Sequence, residues 1–513
     1  MNPTDRSTEP LALFDRAGTR VLETRALAAL PAHTLMRRAG AAVARLALAI
    51  APHARRIWIA AGPGNNGGDG LEAAAILRRA GKDARVLLIG DRGALPADAA
   101  DALARAQAAG VPLDAGPEGL DGRDLAIDAL LGIGATRVPE GRLADAVHRL
   151  NALACPVLAV DVPSGLDVDT GRAYGKACVV AHHTLALLTL KPGLFTAEGR
   201  DQAGRVWLDT LGIDDMREAG PVAWLRGVPA GDRHRHLRRH AAHKGSFGDL
   251  AVVGGAAGMV GAAILAARAA HAGGAGRVYV VPLNGSAAPD LDAVRPELMF
   301  RAQWCEASPP NVIADTVVVC GCGGGDAVRA PLPRLLSLAR RLVLDADALN
   351  AIAADRGLRT TLALRAPRGL LTVLTPHPLE AARLLDGSTA QVQADRLGAA
   401  RELAARHGAI VVLKGSGSIV AAPGLLPVVN ATGNAALASA GTGDVLAGWI
   451  GGRWAPAASD TTLEAAFDRV ATAVAEHGAA APPQAAGPMR AADLVDALHR
   501  QLSRIERSTL ASA

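Results

Sequence analysis

The chain has 513 residues, 50 % of them hydrophobic and 20 % charged, with a formal net charge of only +5. That balance excludes wholesale disorder, and 54 basic against 49 acidic side chains are too evenly matched for a nucleic-acid track. With 57 glycines, 30 prolines and 3 % aromatic residues, small aliphatic side chains must fill the core, as helices packed closely on sheets.

The first residues, MNPTDRSTEP, are too polar for a secretory leader, and no run of 18 apolar residues marks a membrane span. Five cysteines at 155, 178, 305, 320 and 322 are few and odd in number, and Cys320-Gly-Cys322 lacks the second pair of a four-thiolate metal site. A cytoplasmic, reducing compartment is predicted, without membrane or nucleic-acid partners. The dense basic cluster Arg233-His234-Arg235-His236, continued by Arg238, Arg239 and His240, reads as a solvated linker because no aromatic platform accompanies it.

Residues 11–50 carry helical periodicity in Leu11, Phe14, Val21, Leu22, Leu35, Met36, Val43 and Leu46, broken near Pro31. Strands are predicted at 57–61, 85–89, 125–129, 156–160, 184–190 and 205–208, with helices at 71–79 and 143–153. A joint at 228–243 precedes a second series, with strands at 250–253, 278–281, 317–319, 342–344, 371–374 and 410–413 and helices at 259–272 and 378–385. Short apolar strands alternating with helices predict parallel sheets covered on both faces. The chain is therefore read as two α/β domains, 1–227 and 228–513.

In the first half, Gly62-Pro-Gly64-Asn-Asn-Gly67-Gly68-Asp69-Gly70 leaves a strand and enters a helix. Its glycines satisfy G-x-G-x-x-G and Asp91 closes the next strand, the pattern of a dinucleotide dehydrogenase. Glycine amides and a helix N-terminus favour an anion or nucleotide, yet Asp69 would repel pyrophosphate, and a purely structural turn remains an alternative. Asp128 and Asp161-Val-Pro-Ser164 end two further strands, so Asn66, Asp128 and Ser164 can offer oxygen ligands to a hard cation. These segments, with Gly132-Ile133-Gly134 and the upstream Leu35–Gly40, resemble the NAD(P)H-hydrate epimerase domain over about residues 10–220. The resemblance implies a Rossmann-like three-layer sandwich. It implies hydrate contacts from Asn65, Asn66, Gly67, Gly68, Asp69, Gly132, Ile133, Gly134, Ala135, Thr136, Arg137, Val138 and Asp161, and potassium contacts from Asn66, Asp128 and Ser164. Asp161 is the candidate acid/base, since a carboxylate can assist loss and return of a hydroxyl beside an iminium-like centre. Lys191 is its candidate electrostatic partner, although a lysine after a strand is more often a snorkelling surface group.

In the second half, Lys414-Gly415-Ser416-Gly417-Ser418 follows one strand, and Gly441-Thr442-Gly443-Asp444 opens a helix. Such amides can hold a transferring phosphate, Lys414 can neutralise it, and Asp444 can deprotonate a hydroxyl or merely cap the helix. No Walker motif is present. With His243–Gly248, Pro296–Met299, Asp345–Asn350, Thr375–Glu380 and Asn430–Asp444, these segments resemble the ADP-dependent NAD(P)H-hydrate dehydratase domain over about residues 233–508. The resemblance implies a ribokinase-like three-layer sandwich. Hydrate contacts would come from Ala262, Gly323, His377 and Asp444, and nucleotide contacts from Lys414, Gly415, Ser416, Gly417, Ser418 and Gly443. The family's Gly-Pro-Gly-Leu-Gly turn is Gly321-Cys-Gly-Gly-Gly here, which loosens it entropically.

Both resemblances together imply repair of hydrated NADH and NADPH: epimerisation of the R and S hydrates, then ADP-dependent dehydration of the S form with release of AMP and phosphate. ADP is the implied phosphoryl donor, potassium the implied ion, and magnesium an optional phosphate neutraliser without an assignable ligand set. A homo-oligomer is expected. A dehydrogenase fused to a sugar or vitamin kinase, and a nucleotide sensor without turnover, are the rival readings.

Overall fold

Runs of valine, isoleucine, leucine and alanine become short strands, and the alanine-rich stretches between them become helices. The structure, a computed structural model, describes residues 3–6, 9–216, 218–229, 240–285, 290–457, 460–482 and 487–510. The basic cluster at 233–239 lies outside the described residues. The chain forms two compact units, Met1–Leu225 and Arg226–Ala513.

The first unit contains β1 (Leu11–Leu13), β2 (Arg56–Ala61), β3 (Asp83–Leu88), β4 (Leu125–Ala129), β5 (Val157–Val160), β6 (His183–Leu187), β7 (Arg205–Asp209) and β8 (Ala223–Arg226). A six-stranded sheet has the order β3-β2-β4-β5-β6-β7, with every neighbouring pair parallel. Ile57 and Ile59 belong to the core on one face and Trp58 and Ala60 to the core on the other, which is why β2 reads as continuously apolar. The predicted helix at 71–79 begins earlier, at α1 (Asn65–Arg79), because Gly67, Gly68 and Gly70 fit the helix interior despite their low propensity. Leu11 is not helical: Leu11–Leu13 pairs antiparallel with Ala223–Leu225, and the helix starts at Arg16 after the Asp15 cap.

The second unit contains β9 (Asp249–Gly254), β10 (Arg277–Pro282), β11 (Met299–Phe300), β12 (Val317–Cys320), β13 (Arg341–Leu344), β14 (Leu371–Leu374), β15 (Ile410–Leu413), β16 (Ile419–Ala421) and β17 (Val428–Asn430). Its strand order runs β17-β16-β15-β14-β13-β12-β9-β10-β11. Pairing is parallel from β11 to β15 and antiparallel at β15-β16 and β16-β17. Among the described residues, no helix is long and apolar enough to cross a membrane.

Chain order reverses between β2 and β4 in the first unit and between β9 and β12 in the second. In open parallel sheets, such switch points spread the loops at the strands' carboxyl ends into a crevice. The second sheet is backed by α2 (Val260–Ala272) and α3 (Thr442–Trp454), which touch through small residues. A Cβ on Gly448 would lie 2.0 Å from the Ala266 carbonyl oxygen, and one on Gly452 2.2 Å from that of Ala270. Gly448→Ala is expected to cost about 3 kcal/mol of overpacking against a helix-propensity gain of about 1 kcal/mol. A lower urea midpoint checks this; an unchanged midpoint would contradict the contact.

Candidate active sites

Gly62 brings the turn after β2 against the turn after β4: a Cβ there would lie 1.8 Å from the Leu130 carbonyl oxygen. Beside this contact opens a cleft of about 890 Å³, lined by Asn65, Asn66 and Asp69 of α1, residues 130–140, Asp161 and Lys191. Gly132, Ile133, Gly134, Ala135, Thr136, Arg137 and Val138 all line it. Gly67 and Gly68 do not; they allow the close approach of Gly62 and of Met36 and Ala99. Asp91 caps the turn at Arg92–Ala94 by accepting from the Gly93 N–H at 2.9 Å and is not among the residues that line the cleft.

Asp161 follows β5 with φ +68°, a left-handed conformation that costs a non-glycine residue about 1–2 kcal/mol. Lys191 Nζ donates to the Asp161 carboxylate and, at 2.8 Å, to the Leu187 carbonyl oxygen. The Leu187 N–H donates to Asp161 Oδ1 at 3.3 Å. Lys191 is 0 % exposed, so the snorkelling reading fails: a carboxylate and a carbonyl replace its hydration. Burial, and then the Asp161 charge, push the Asp69 carboxyl well above its usual range, and the same two causes raise Glu23. A protonated carboxyl at Asp69 can donate a hydrogen bond to a polar ligand. Glu23 also lines the cleft and escaped the sequence reading, since nothing distinguishes it from any other acidic residue on a helix.

Asp128 is fully buried and accepts from the Ser164 hydroxyl at 2.6 Å, the Ser164 N–H at 2.8 Å and the Leu130 N–H at 3.1 Å. No basic side chain pairs with it among the described residues, and burial pushes its carboxyl up to about 6. A Cβ on Gly132 would come within 3.3 Å of the Asn66 amide oxygen, while Asn66 Nδ2 is buried without a hydrogen-bond partner. A buried carboxylate lacking a counter-charge and a hydroxyl fit an oxygen-bound monovalent cation, which Asn66 would join by turning its amide oxygen, in place of Nδ2, toward the ion.

In the second unit, Asp345 follows β13 and is 1 % exposed. Its Oδ1 accepts from Lys414 Nζ at 2.8 Å and from the Thr375 hydroxyl at 2.7 Å. Burial works against the Lys414 charge, but Asp345 and then Glu380 outweigh it and raise its pKa. A Cβ on Gly443 would lie 3.4 Å from Lys414 Nζ, which places that ammonium at the N-terminus of α3. Gly441, with φ +88°, is the N-cap of α3, so Asp444 lies inside the first turn and is not the cap. Burial, and then Asp345, push Asp444 up to about 6. Behind this turn the His477 ring lies 3.0 Å from the Thr442 carbonyl oxygen through Nε2, and burial pulls His477 down to about 4.

Gly323, with φ +57°, brings the turn after β12 against α2, where a Cβ would lie 2.9 Å from that of Ala262. His377 caps the helix Pro378–Leu384: its Nδ1 accepts from the N–H groups of Leu379 and Glu380, each at 3.2 Å. Glu380 Oε2 accepts from the His377 N–H at 2.8 Å, and burial raises Glu380 to about 7. Among Gly415, Ser416, Gly417 and Ser418, which join β15 to β16, Gly415 has φ +131° and faces the buried Arg396 guanidinium. Asp345 and Thr375, which fix Lys414, were visible in sequence only as strand-end motifs. Their convergence needs the sheet.

Lys191→Met leaves Asp161 without its ammonium partner and is expected to destabilise the first unit by about 3 kcal/mol. The double change with Asp161→Asn should recover much of that loss. A denaturation double-mutant cycle measures it, and additive losses would contradict the pairing.

Residues 32–193 match the family described as YjeF-related protein N-terminus, and residues 250–504 the family described as NAD(P)H-hydrate dehydratase. The bifunctional NAD(P)H-hydrate repair enzyme Nnr of Escherichia coli (strain K12) is 36 % identical over 481 residues, covering 91 % of this chain and 89 % of its own. The bifunctional NAD(P)H-hydrate repair enzyme of Leishmania major is 39 % identical over 495 residues, covering 88 % and 85 %. A solved structure of the ADP/ATP-dependent NAD(P)H-hydrate dehydratase of Bacillus subtilis, co-crystallised with ATP/Mg2+, is 28 % identical at a TM-score of 0.41, covering 52 % of this chain and 93 % of that one.

Proposed function

The chain belongs to the bifunctional NAD(P)H-hydrate repair enzymes, and from that premise we propose that its first unit epimerises hydrated NADH and NADPH and its second dehydrates them with ADP. The observation that carries this reading is that each unit sets a carboxylate and a lysine where its parallel strands end, with Asp161 beside Lys191 and Asp444 beside Lys414 and Asp345.

In the first unit, the nicotinamide ring lies in the cleft between Asn65–Asp69 and the loop Gly132–Val138. Asp161 relays a proton from the Lys191 ammonium to the C6 hydroxyl as the ring nitrogen expels it as water, and returns it to Lys191 when water adds to the other face. Lys191 holds the carboxylate in place and balances its charge. Potassium, held by Asn66, Asp128 and Ser164, would supply the missing counter-charge at Asp128 and fix the turns that carry the cleft. The other residues position substrate.

In the second unit, the ADP phosphates lie at the Gly441–Gly443 amides and Lys414, with the loop Gly415–Ser418 on the nucleotide. Ala262, Gly323 and His377 hold the hydrate. Asp444 takes the C6 hydroxyl proton while that oxygen attacks the terminal phosphorus, and AMP leaves. A poor leaving group has become a good one: the ring nitrogen expels phosphate, and loss of a C5 proton restores the reduced ring. Magnesium would accompany the nucleotide phosphates, and no side chain is assigned to it. Five buried free thiols suit a cytoplasmic setting.

Asp444→Asn should abolish ADP-dependent dehydration by about 10³-fold or more and leave epimer exchange intact, whereas Asp161→Asn should impair use of the R hydrate and spare the S hydrate. Separated epimers assayed by reduced-nicotinamide absorbance decide it, and loss of both activities in either variant would contradict the division. A base must be unprotonated, and Asp444 titrates near about 6. Dehydration at low substrate should therefore rise as pH increases through about 6 and level above it; a flat profile between 5 and 7 would remove Asp444 as the base.

A further inference from the structure

Cys322, Asp345 and Asp444 come together at the dehydratase centre in a way that phosphoryl transfer does not require. One ligand atom from each lies within 4.8 Å of the other two, and Cys322 Sγ is 4.0 Å from Asp345 Oδ2. A tetrahedral ion with sulfur at about 2.3 Å and oxygen at about 2.0 Å needs sulfur–oxygen separations near about 3.5 Å, so modest side-chain adjustment closes the set. The Lys414 ammonium occupies Oδ1 of Asp345, leaving Oδ2 facing the thiol. Charge points the same way: Asp444 feels the like charges of Asp345 and Asp347 against the single ammonium of Lys414. Two carboxylates and a thiol converge on one spot whose local charge a divalent cation would balance.

We propose that Cys322, Asp345 and Asp444 form a binding site for a thiophilic divalent cation of the zinc or cobalt class, and that its occupation blocks dehydration. The blocking half rests on Asp444 serving as the base. Burial holds the Cys322 thiol well above its usual range, so as the metal–sulfur bond forms the thiol passes its proton by way of the partly exposed Asp444 to solvent, and the metal then takes the Asp444 oxygen that would otherwise accept the substrate proton. Thiolate selects zinc or cobalt over magnesium, which prefers oxygen and keeps its waters.

The test adds cobalt(II) to the full chain in a phosphine reductant and follows the near-ultraviolet spectrum. A sulfur-to-cobalt charge-transfer band saturating at one equivalent is expected, and it should vanish in Cys322→Ser, which keeps the buried volume, and in Cys322→Ala. No band, or one that survives both substitutions, would overturn the site. Zinc should then suppress dehydration while epimerisation by the same chain continues, with the inhibitory concentration raised about tenfold or more in Cys322→Ser. Equal loss of both activities, or dehydration untouched at zinc saturation, would overturn the blocking role. The cobalt band is read without turnover, so it tests the site independently of the proposed reaction.

Discussion

A buried carboxylate–lysine pair at the carboxyl edge of a parallel sheet is the constraint on which both units depend. Taking either ion out of water costs several kcal/mol, and the mutual attraction repays that only when the remaining donors and acceptors are satisfied. The Asp161–Lys191 pair meets the condition, and the Asp345–Lys414 pair meets it at Oδ1. Lys191 also donates to the Leu187 carbonyl, and Asp345 accepts from Thr375 as well as from Lys414. Well-packed apolar substitutes would serve stability as well or better, so the value of the pairs lies in holding charge at a fixed place for a ligand. The left-handed backbone at Asp161 has the same logic, since strain is retained where it aims a side chain.

Composition explains how such sites are built with so few large side chains. The glycines at 62 and 323 let a turn from one strand press on its neighbour, and the pairs Gly448–Ala266 and Gly452–Ala270 let two helices approach backbone to backbone. Close packing of small residues gives rigid walls from many weak dispersion contacts. The polar groups that act on a ligand then lie at the carboxyl ends of strands, Asp161 and Lys191 beyond β5 and β6 and Asp345 and Lys414 beyond β13 and β15, or in the first turns of the helices that carry Asn66 and Asp444. Joining two such centres on one chain ties the concentration of one activity to that of the other.

Much of this could be read from the sequence, and the failures have physical causes. The strands at Leu125–Ala129, Leu371–Leu374 and Ile410–Leu413 coincide with their predicted bounds, because they are almost wholly buried, mostly apolar runs flanked by turn residues. The short strands Leu11–Leu13, Met299–Phe300, Ile419–Ala421 and Val428–Asn430 were missed, since two or three residues carry no period and their pairing is set by distant neighbours. Asp161, Asp128 and Asp444 were legible as strand-end or helix-start acids. The burial of Lys191, the partnership of Lys414 with Asp345, the raised carboxyl of Glu380 and the facing of Cys322 with Asp345 were not. Each joins segments distant in sequence, and only the sheet's strand order brings them together.

The central claim, one damaged dinucleotide processed at two separate centres, is tested most directly by giving the purified chain R and S hydrates separately, each with ADP, and following the absorbance of reduced nicotinamide together with AMP. The account predicts complete, ADP-dependent recovery from either epimer, with one AMP formed for each ring restored. Persistence of the R hydrate while the S hydrate is consumed, or recovery of the ring without AMP, would contradict it.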